Sequence, residues 1–166
     1  MKNNNTALAP GVCAEIDRWV QKYPPGKQQS ALLSALRLVQ EANSGWLTTA
    51  LMDAVADYLS IPKIAVYECA TFYSMYNRKP VGRHTLCVCT NISCLLRGSE
   101  QIVEHLEKRL AIKVGETTAD GEFTLKEAEC LAACGGAPVL QVDDKQYYEN
   151  LTPEKVDELL TRIRDK

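Results

Sequence analysis

Two short stretches constrain this chain more than any other feature: Cys87-Val-Cys-Thr-Asn-Ile-Ser-Cys94 and Glu129-Cys-Leu-Ala-Ala-Cys-Gly-Gly-Ala-Pro138. Four residues separate Cys89 from Cys94, and three separate Cys130 from Cys134. Four thiolates drawn together, with no neighbouring carboxylate or paired histidines, suit a soft metal centre. A structural zinc ion takes its cysteines as tight knuckles, often with about two residues between the sulfurs. Neither pair has that spacing. A 2Fe–2S rhomb is larger, each iron needs two outer sulfurs, and the wider loops suit it. The spacing puts Cys89 and Cys94 on one iron and Cys130 and Cys134 on the other. A Rieske centre needs two histidines on one iron; the candidates are His84, ahead of the first ligand, and His105, inside a predicted helix. That reading is rejected.

The remaining cysteines have a plainer explanation. Cys13 and Cys69 have no partner spacing and read as small apolar side chains. Cys87 lies two residues before Cys89 and, on a strand, shares its face; it is expected to be a core thiol, with ligand exchange between the two as the alternative. A thiol–disulfide oxidoreductase would need a Cys-x-x-Cys at a strand-to-helix turn, which Cys89 and Cys94 are too far apart to supply. Gly135, Gly136 and Ala137 are small enough to let backbone N–H groups approach the cluster sulfurs, which tunes the potential.

Composition excludes several classes. Seven cysteines in 166 residues is an odd number that closes no disulfide framework and points to a reducing, cytoplasmic compartment. The net charge is −2 with no long basic run, so nothing asks for nucleic acid. No stretch approaches the ~18 apolar residues of a membrane helix. The N-terminus has neither the apolar core of a signal peptide nor the arginine-rich character of a transit peptide.

Residues 1–11 read as a disordered leader and residues 12–78 as a helical bundle. Val12, Ile16, Trp19, Val20 and Tyr23 form one helical stripe, stopped by Pro24-Pro25-Gly26. A second helix is predicted from Gln29 to Ala42 with Leu32, Leu33, Leu36 and Val39 inward, ending at Asn43-Ser-Gly45. Thr48 or Thr49 caps a third with Leu51, Met52, Val55, Ala56 and Leu59 on its core face. Pro62 opens a fourth, carrying Ile64, Val66 and Tyr67 and running into Ala70–Tyr76. Phe72, Tyr73, Met75 and Tyr76 form either packing between the two halves or a docking surface. No phosphate loop, histidine pair or nucleophile elbow occurs here. This half is a scaffold.

Residues 79–166 hold the chemistry, after a polar hinge at Asn77–Arg83. His84–Cys89 predicts a strand ending at the first ligand, and Leu95–Leu110 a helix with Leu95, Ile102, Val103, Leu106 and Leu110 inward. Asp120-Gly121 predicts a tight turn between short strands, the second spanning Glu122–Leu125. Pro138–Asp143 and Gln146–Tyr148 predict a hairpin; Thr152 and Pro153 open a last helix through Val156, Leu159, Leu160 and Ile163. The Ala137–Pro138 bond is open to either isomer. The fold class is therefore mixed α+β/α/β, an N-terminal helical bundle followed by a thioredoxin-like α/β domain.

At these residues the chain resembles the NuoE-type family, the 2Fe–2S subunit of respiratory complex I (NADH:quinone oxidoreductase). The likeness runs through Gly45-Trp46, Ala70-Thr-Phe-Tyr73, Val81-Gly-Arg-His84, Cys89-x4-Cys94, Gly115-Glu-Thr-Thr118, Asp120-Gly121 and Phe123-Thr-Leu125. It continues through Glu129-Cys130-Leu131-x-x-Cys134, Ala137-Pro138 and Leu151-Thr152. The resemblance implies a thioredoxin-like ferredoxin with one 2Fe–2S cluster on Cys89, Cys94, Cys130 and Cys134. It implies a tight heterodimer with a flavoprotein that binds FMN and NADH, other peripheral-arm subunits as further partners, and a place on the cytoplasmic face of a bacterial inner membrane. It implies no substrate chemistry on this chain, only electron transfer. The same module occurs in NAD-linked hydrogenases and formate dehydrogenases, and a zinc-stabilised docking module is the alternative from another class. An all-cysteine cluster has a potential near about −400 mV; Glu127 and Glu129, beside Cys130, are expected to push it lower.

Overall fold

Pro10 opens the first helix, α1 (Pro10–Val20), because its fixed φ suits a first turn and its missing N–H is not needed there. The computed structural model describes residues 8–164. Residues 1–7 of the expected leader lie outside the described residues, and Pro10 and Gly11 belong to the helix, not to a leader. Two compact units follow, Met1–Pro80 and Val81–Lys166.

In the first unit the expected second helix begins as a 3-10 turn, Gln28–Ala31, before α2 (Leu32–Ala42). Leu33, expected inward, is exposed on α2, while Leu36 and Val39 are buried. Thr48 caps α3 (Thr49–Leu59), its Oγ1 accepting the Leu51 N–H at 3.1 Å. Ser60 ends that helix in the left-handed region, φ 53°. Pro62 stands just outside α4 (Lys63–Phe72), with extended ψ, so it precedes the first turn and does not belong to it. Ile16, Leu36, Val55 and Val66 close the core.

The fourth helix stops at Phe72 and does not continue to Tyr76. The buried Gln40 side chain captures the chain beyond it. Its Nε2 donates to the Met75 carbonyl at 3.0 Å and its Oε1 accepts the Asn77 N–H at 2.7 Å. The Asn77 carbonyl accepts from Leu47 N–H, and the Tyr76 hydroxyl donates to the Leu33 carbonyl, both at 2.7 Å. Tyr76 thereby joins the core of its own unit, while Phe72 is 81% exposed. The aromatic group read as one surface is split.

The second unit is a four-stranded sheet in the order β2-β1-β3-β4. Its strands are β1 (His84–Cys89), β2 (Phe123–Ala128), β3 (Leu140–Val142) and β4 (Gln146–Tyr148). β1 pairs with β2 in parallel and with β3 antiparallel; β3 and β4 form a hairpin. Asp143 and Asp144 turn that hairpin, each at φ 54°. β2 runs three residues beyond the expected Leu125, and the strand expected before Asp120-Gly121 shrinks to one bridge, Thr117 to Thr124.

The expected helix over Leu95–Leu110 is two helices. Gly98, at φ 93°, breaks it into α5 (Ile92–Leu96) and α6 (Ser99–Leu110). Leu95 consequently faces outward and is 41% exposed. α6 and α7 (Pro153–Arg164) bury Ile102, Leu106, Val156 and Leu160 against Leu86, Val88, Phe123, Leu125 and Leu140. Those strand residues alternate, so both helices cover one sheet face. Thr85, Cys87 and Cys89 take the other.

Candidate metal centre

Parallel pairing is what brings the cysteine loops together. Cys89, the last residue of β1, lies opposite Ala128, the last residue of β2, so both chains leave the sheet at one edge. The Thr90 N–H donates to the Ala128 carbonyl and the Cys89 N–H to the Val139 carbonyl, both at 3.0 Å. The end of β1 is thus clamped between the loop entering the second cysteine pair and the segment leaving it. Asn91 then opens α5, its side chain accepting the Ile92 N–H at 2.8 Å. That turn points Cys94 inward.

Cys89 and Cys94 are buried at 3% and 1%, in a small apolar pocket with Ala137 and Val139, flanked by Leu131 and Ala133. Cys130 and Cys134 are exposed. The site is half core and half surface, which suits a cofactor that must be held firmly and reached by an electron. Burial alone would raise the Cys89 thiol; the backbone N–H groups of Asn91 and Leu131 and a hydrogen bond from Cys94 outweigh it and hold Cys89 below the usual cysteine value. Cys94 is pushed up by burial and by its bond to Cys89, and it also senses Cys134. The hydrogen bond between them thus favours the thiolate on Cys89 and the thiol on Cys94.

Two of the expected N–H donors, those of Gly136 and Ala137, are engaged by backbone carbonyls. Gly136 N–H is taken by the Ala133 carbonyl at 3.0 Å and Ala137 N–H by the Cys134 carbonyl at 3.3 Å, inside the 3-10 turn Cys134–Gly136. Sulfur instead receives N–H groups from Asn91 and Leu131 at Cys89, and from Ala132 at Cys130 at 3.3 Å. Ala132 does this with φ at 56°. Only Asn91, as a helix-capping residue, has a sequence signal. Gly136 is small for another reason: a Cβ there would lie 2.4 Å from the Glu149 carboxyl group. The Ala137–Pro138 bond beside it is cis.

Among the described residues no group of three or more His, Cys, Asp or Glu side chains is drawn together as a ready single-ion site. The donors are four thiols, two of them already linked by a hydrogen bond, and they fit a cluster with two outer sulfurs on each iron.

The other candidates are placed elsewhere. His84 is at the far end of β1, its Nδ1 2.8 Å from Asp143. His105 Nε2 lies 3.1 Å from Asp157 on α7. Cys87 is half-buried on the sheet face away from the helices, not in the main core; burial, then the nearby Asp144, pushes its thiol up to about 11. Burial also raises Cys69. Glu127 and Glu129 are exposed, so solvent screens their effect on the site.

Similarity to known proteins agrees with the geometry. The family described as thioredoxin-like 2Fe-2S ferredoxin matches residues 16–164. The E subunit of NADH-quinone oxidoreductase from Rickettsia conorii (strain ATCC VR-613 / Malish 7) is 46% identical over 146 residues, covering 88% of this chain and 87% of that one. Its counterpart from Rickettsia felis (strain ATCC VR-1525 / URRWXCal2) is 49% identical over 141 residues, covering 85% and 84%. Among solved structures, NAD+-reducing NiFe-hydrogenase in the H2-reduced state aligns with a TM-score of 0.68 at 22% identity, over 81% of this chain and 22% of that one. That likeness concerns the fold. With its four cysteines at one sheet edge, the chain belongs to the thioredoxin-like 2Fe–2S ferredoxin family.

Proposed function

We propose that this chain is the electron-transfer subunit of an NADH:quinone oxidoreductase, carrying one 2Fe–2S cluster on Cys89, Cys94, Cys130 and Cys134. The observation that carries the reading is the parallel β1–β2 pair, which delivers both cysteine loops to one edge in a chain 46% identical to the corresponding component of such an enzyme. The cluster, when bound, supplies a one-electron store. The chain's own residues do the rest. Cys89 and Cys94 anchor it from the apolar side, Cys130 and Cys134 from the surface side, and the N–H groups of Asn91, Leu131 and Ala132 spread the negative charge on sulfur. No catalytic base or substrate pocket is assigned; oxidation of NADH on FMN belongs to a partner flavoprotein.

That partner docks beside the cluster. Ile92, Leu95 and Leu96 on α5 are 68%, 41% and 81% exposed, around the buried Cys94. An apolar surface next to the cofactor suits close approach of a redox partner. Among the described residues no helix is long and apolar enough to cross a membrane. The chain sits on the cytoplasmic face of the membrane through its partners.

The test is anaerobic purification of the chain alone and with the FMN-binding flavoprotein subunit of an NADH-quinone oxidoreductase. Iron and sulfide in equal amounts, a visible chromophore and a paramagnetic signal after dithionite support the reading; a colourless zinc protein would sink it. Leu96→Glu is expected to weaken co-purification about tenfold or more, since it sets an unpaired charge in an apolar contact. Association with hydrogenase subunits in place of a quinone-reducing complex would select the other host.

A further inference from the structure

The sheet face turned away from α6 and α7 carries a row that the ligand set does not explain. Lys126 of β2, Cys87 of β1, Gln141 of β3 and Tyr147 of β4 are neighbours in register. Register partners project to the same face. The next row toward the cluster edge holds Ala128 beside Cys89. Lys126 therefore shares a face with Cys89 and stands one strand repeat behind it. It is only half-exposed, whereas Lys108 and Lys113 are 80% and 76% exposed at the side chain. Burial lowers its pKa, and Asp144 and Cys87 oppose that shift. Glu127, the adjacent charge on β2, is in register with Val88 and lies on the other face.

We propose that Lys126 is a potential-setting residue: its charge, held in the sheet one row behind Cys89, raises the reduction potential of the cluster. Reduction adds one electron to a site that four thiolates have already made negative, so a fixed cation nearby lowers the cost of that step. A half-buried charge is poorly screened, which is why this lysine acts where the exposed Glu127 does not and more strongly than the exposed Glu129. Asp144 works against it, and the balance of the two sets the net effect. The inference rests on the cluster reading above.

Redox titration of the cluster-loaded full chain, followed by visible and paramagnetic spectra, tests it; iron and sulfide content report the cluster reading separately. Lys126→Gln is expected to lower the equilibrium constant for one-electron reduction about tenfold, a downward shift of about 59 mV. Lys126→Arg keeps the midpoint, Asp144→Asn raises it, and Glu127→Gln leaves it in place. An unmoved midpoint in Lys126→Gln with iron and sulfide intact overturns the proposal. So does a shift of the same sign in Lys126→Gln and Asp144→Asn. Should Lys126→Gln fold poorly, Lys126→Met decides: a downward shift supports the role and an unmoved midpoint removes it.

Discussion

Cys87 and Cys89 are one strand repeat apart and share a face, yet their surroundings treat the two thiols oppositely. Cys89 receives N–H groups from two loops and lies below the usual cysteine value, while burial and then the nearby Asp144 outweigh Lys126 at Cys87 and raise it to about 11. A metal competes with a proton for sulfur, so the first is prepared and the second is not. Cys89→Ser, Cys94→Ser, Cys130→Ser and Cys134→Ser are each expected to abolish the chromophore, and Cys87→Ser to leave it; iron content and the visible spectrum of each variant check this. Glu129→Gln is expected to raise the midpoint, but by less than Lys126→Gln lowers it, because Glu129 is exposed to solvent. A larger shift at Glu129 would mean that its loop is covered when the cluster is titrated.

At the scale of elements, the first unit depends on polar residues that stop helices in the right places. Gln40 on α2 satisfies both the Met75 carbonyl and the Asn77 N–H. Gln40→Ala is expected to cost about 1–3 kcal/mol, since it removes the side chain that accepts the Asn77 N–H and donates to the Met75 carbonyl; urea unfolding of the protein measures it. Asp53 joins α3 to α4 through the Tyr67 hydroxyl and Lys63, at 2.9 Å from the latter. Its carboxyl is held below the usual value, the Tyr67 hydrogen bond first and Lys63 next. A depressed carboxylate stabilises above its unfolded pKa and loses that contribution as pH falls through the folded one. The stability gap between wild type and Asp53→Asn is therefore widest at neutral pH and closes below about pH 4. Unfolding midpoints across that range test the sign.

For the whole molecule, each unit closes its own core, the first around Leu36, Val55 and Val66, the second around Leu86, Phe123 and Leu140. Residues 81–166 expressed alone are expected to fold and to take up the cluster, with unchanged spectra; a protein that unfolds or loses iron would tie the site to the helical unit. Much of this architecture was already written in local chemistry. The cysteine spacing, the helical stripe through Ile16 and Leu36, the cap at Thr48 and the strand ending at Cys89 each depend on residues a few positions apart. Local pattern therefore determines the candidate ligands and the order of elements without knowing which strands meet. Other features depend on partners far away along the chain. The halt of α4 at Phe72 needs Gln40, the N–H donated to Cys89 by Leu131 needs the second loop, and the row that sets Lys126 beside Cys87 needs the β1–β2 register. No local pattern encodes such pairings, because they arise only when packing chooses one register and one neighbour among many. Tertiary structure alone made that choice.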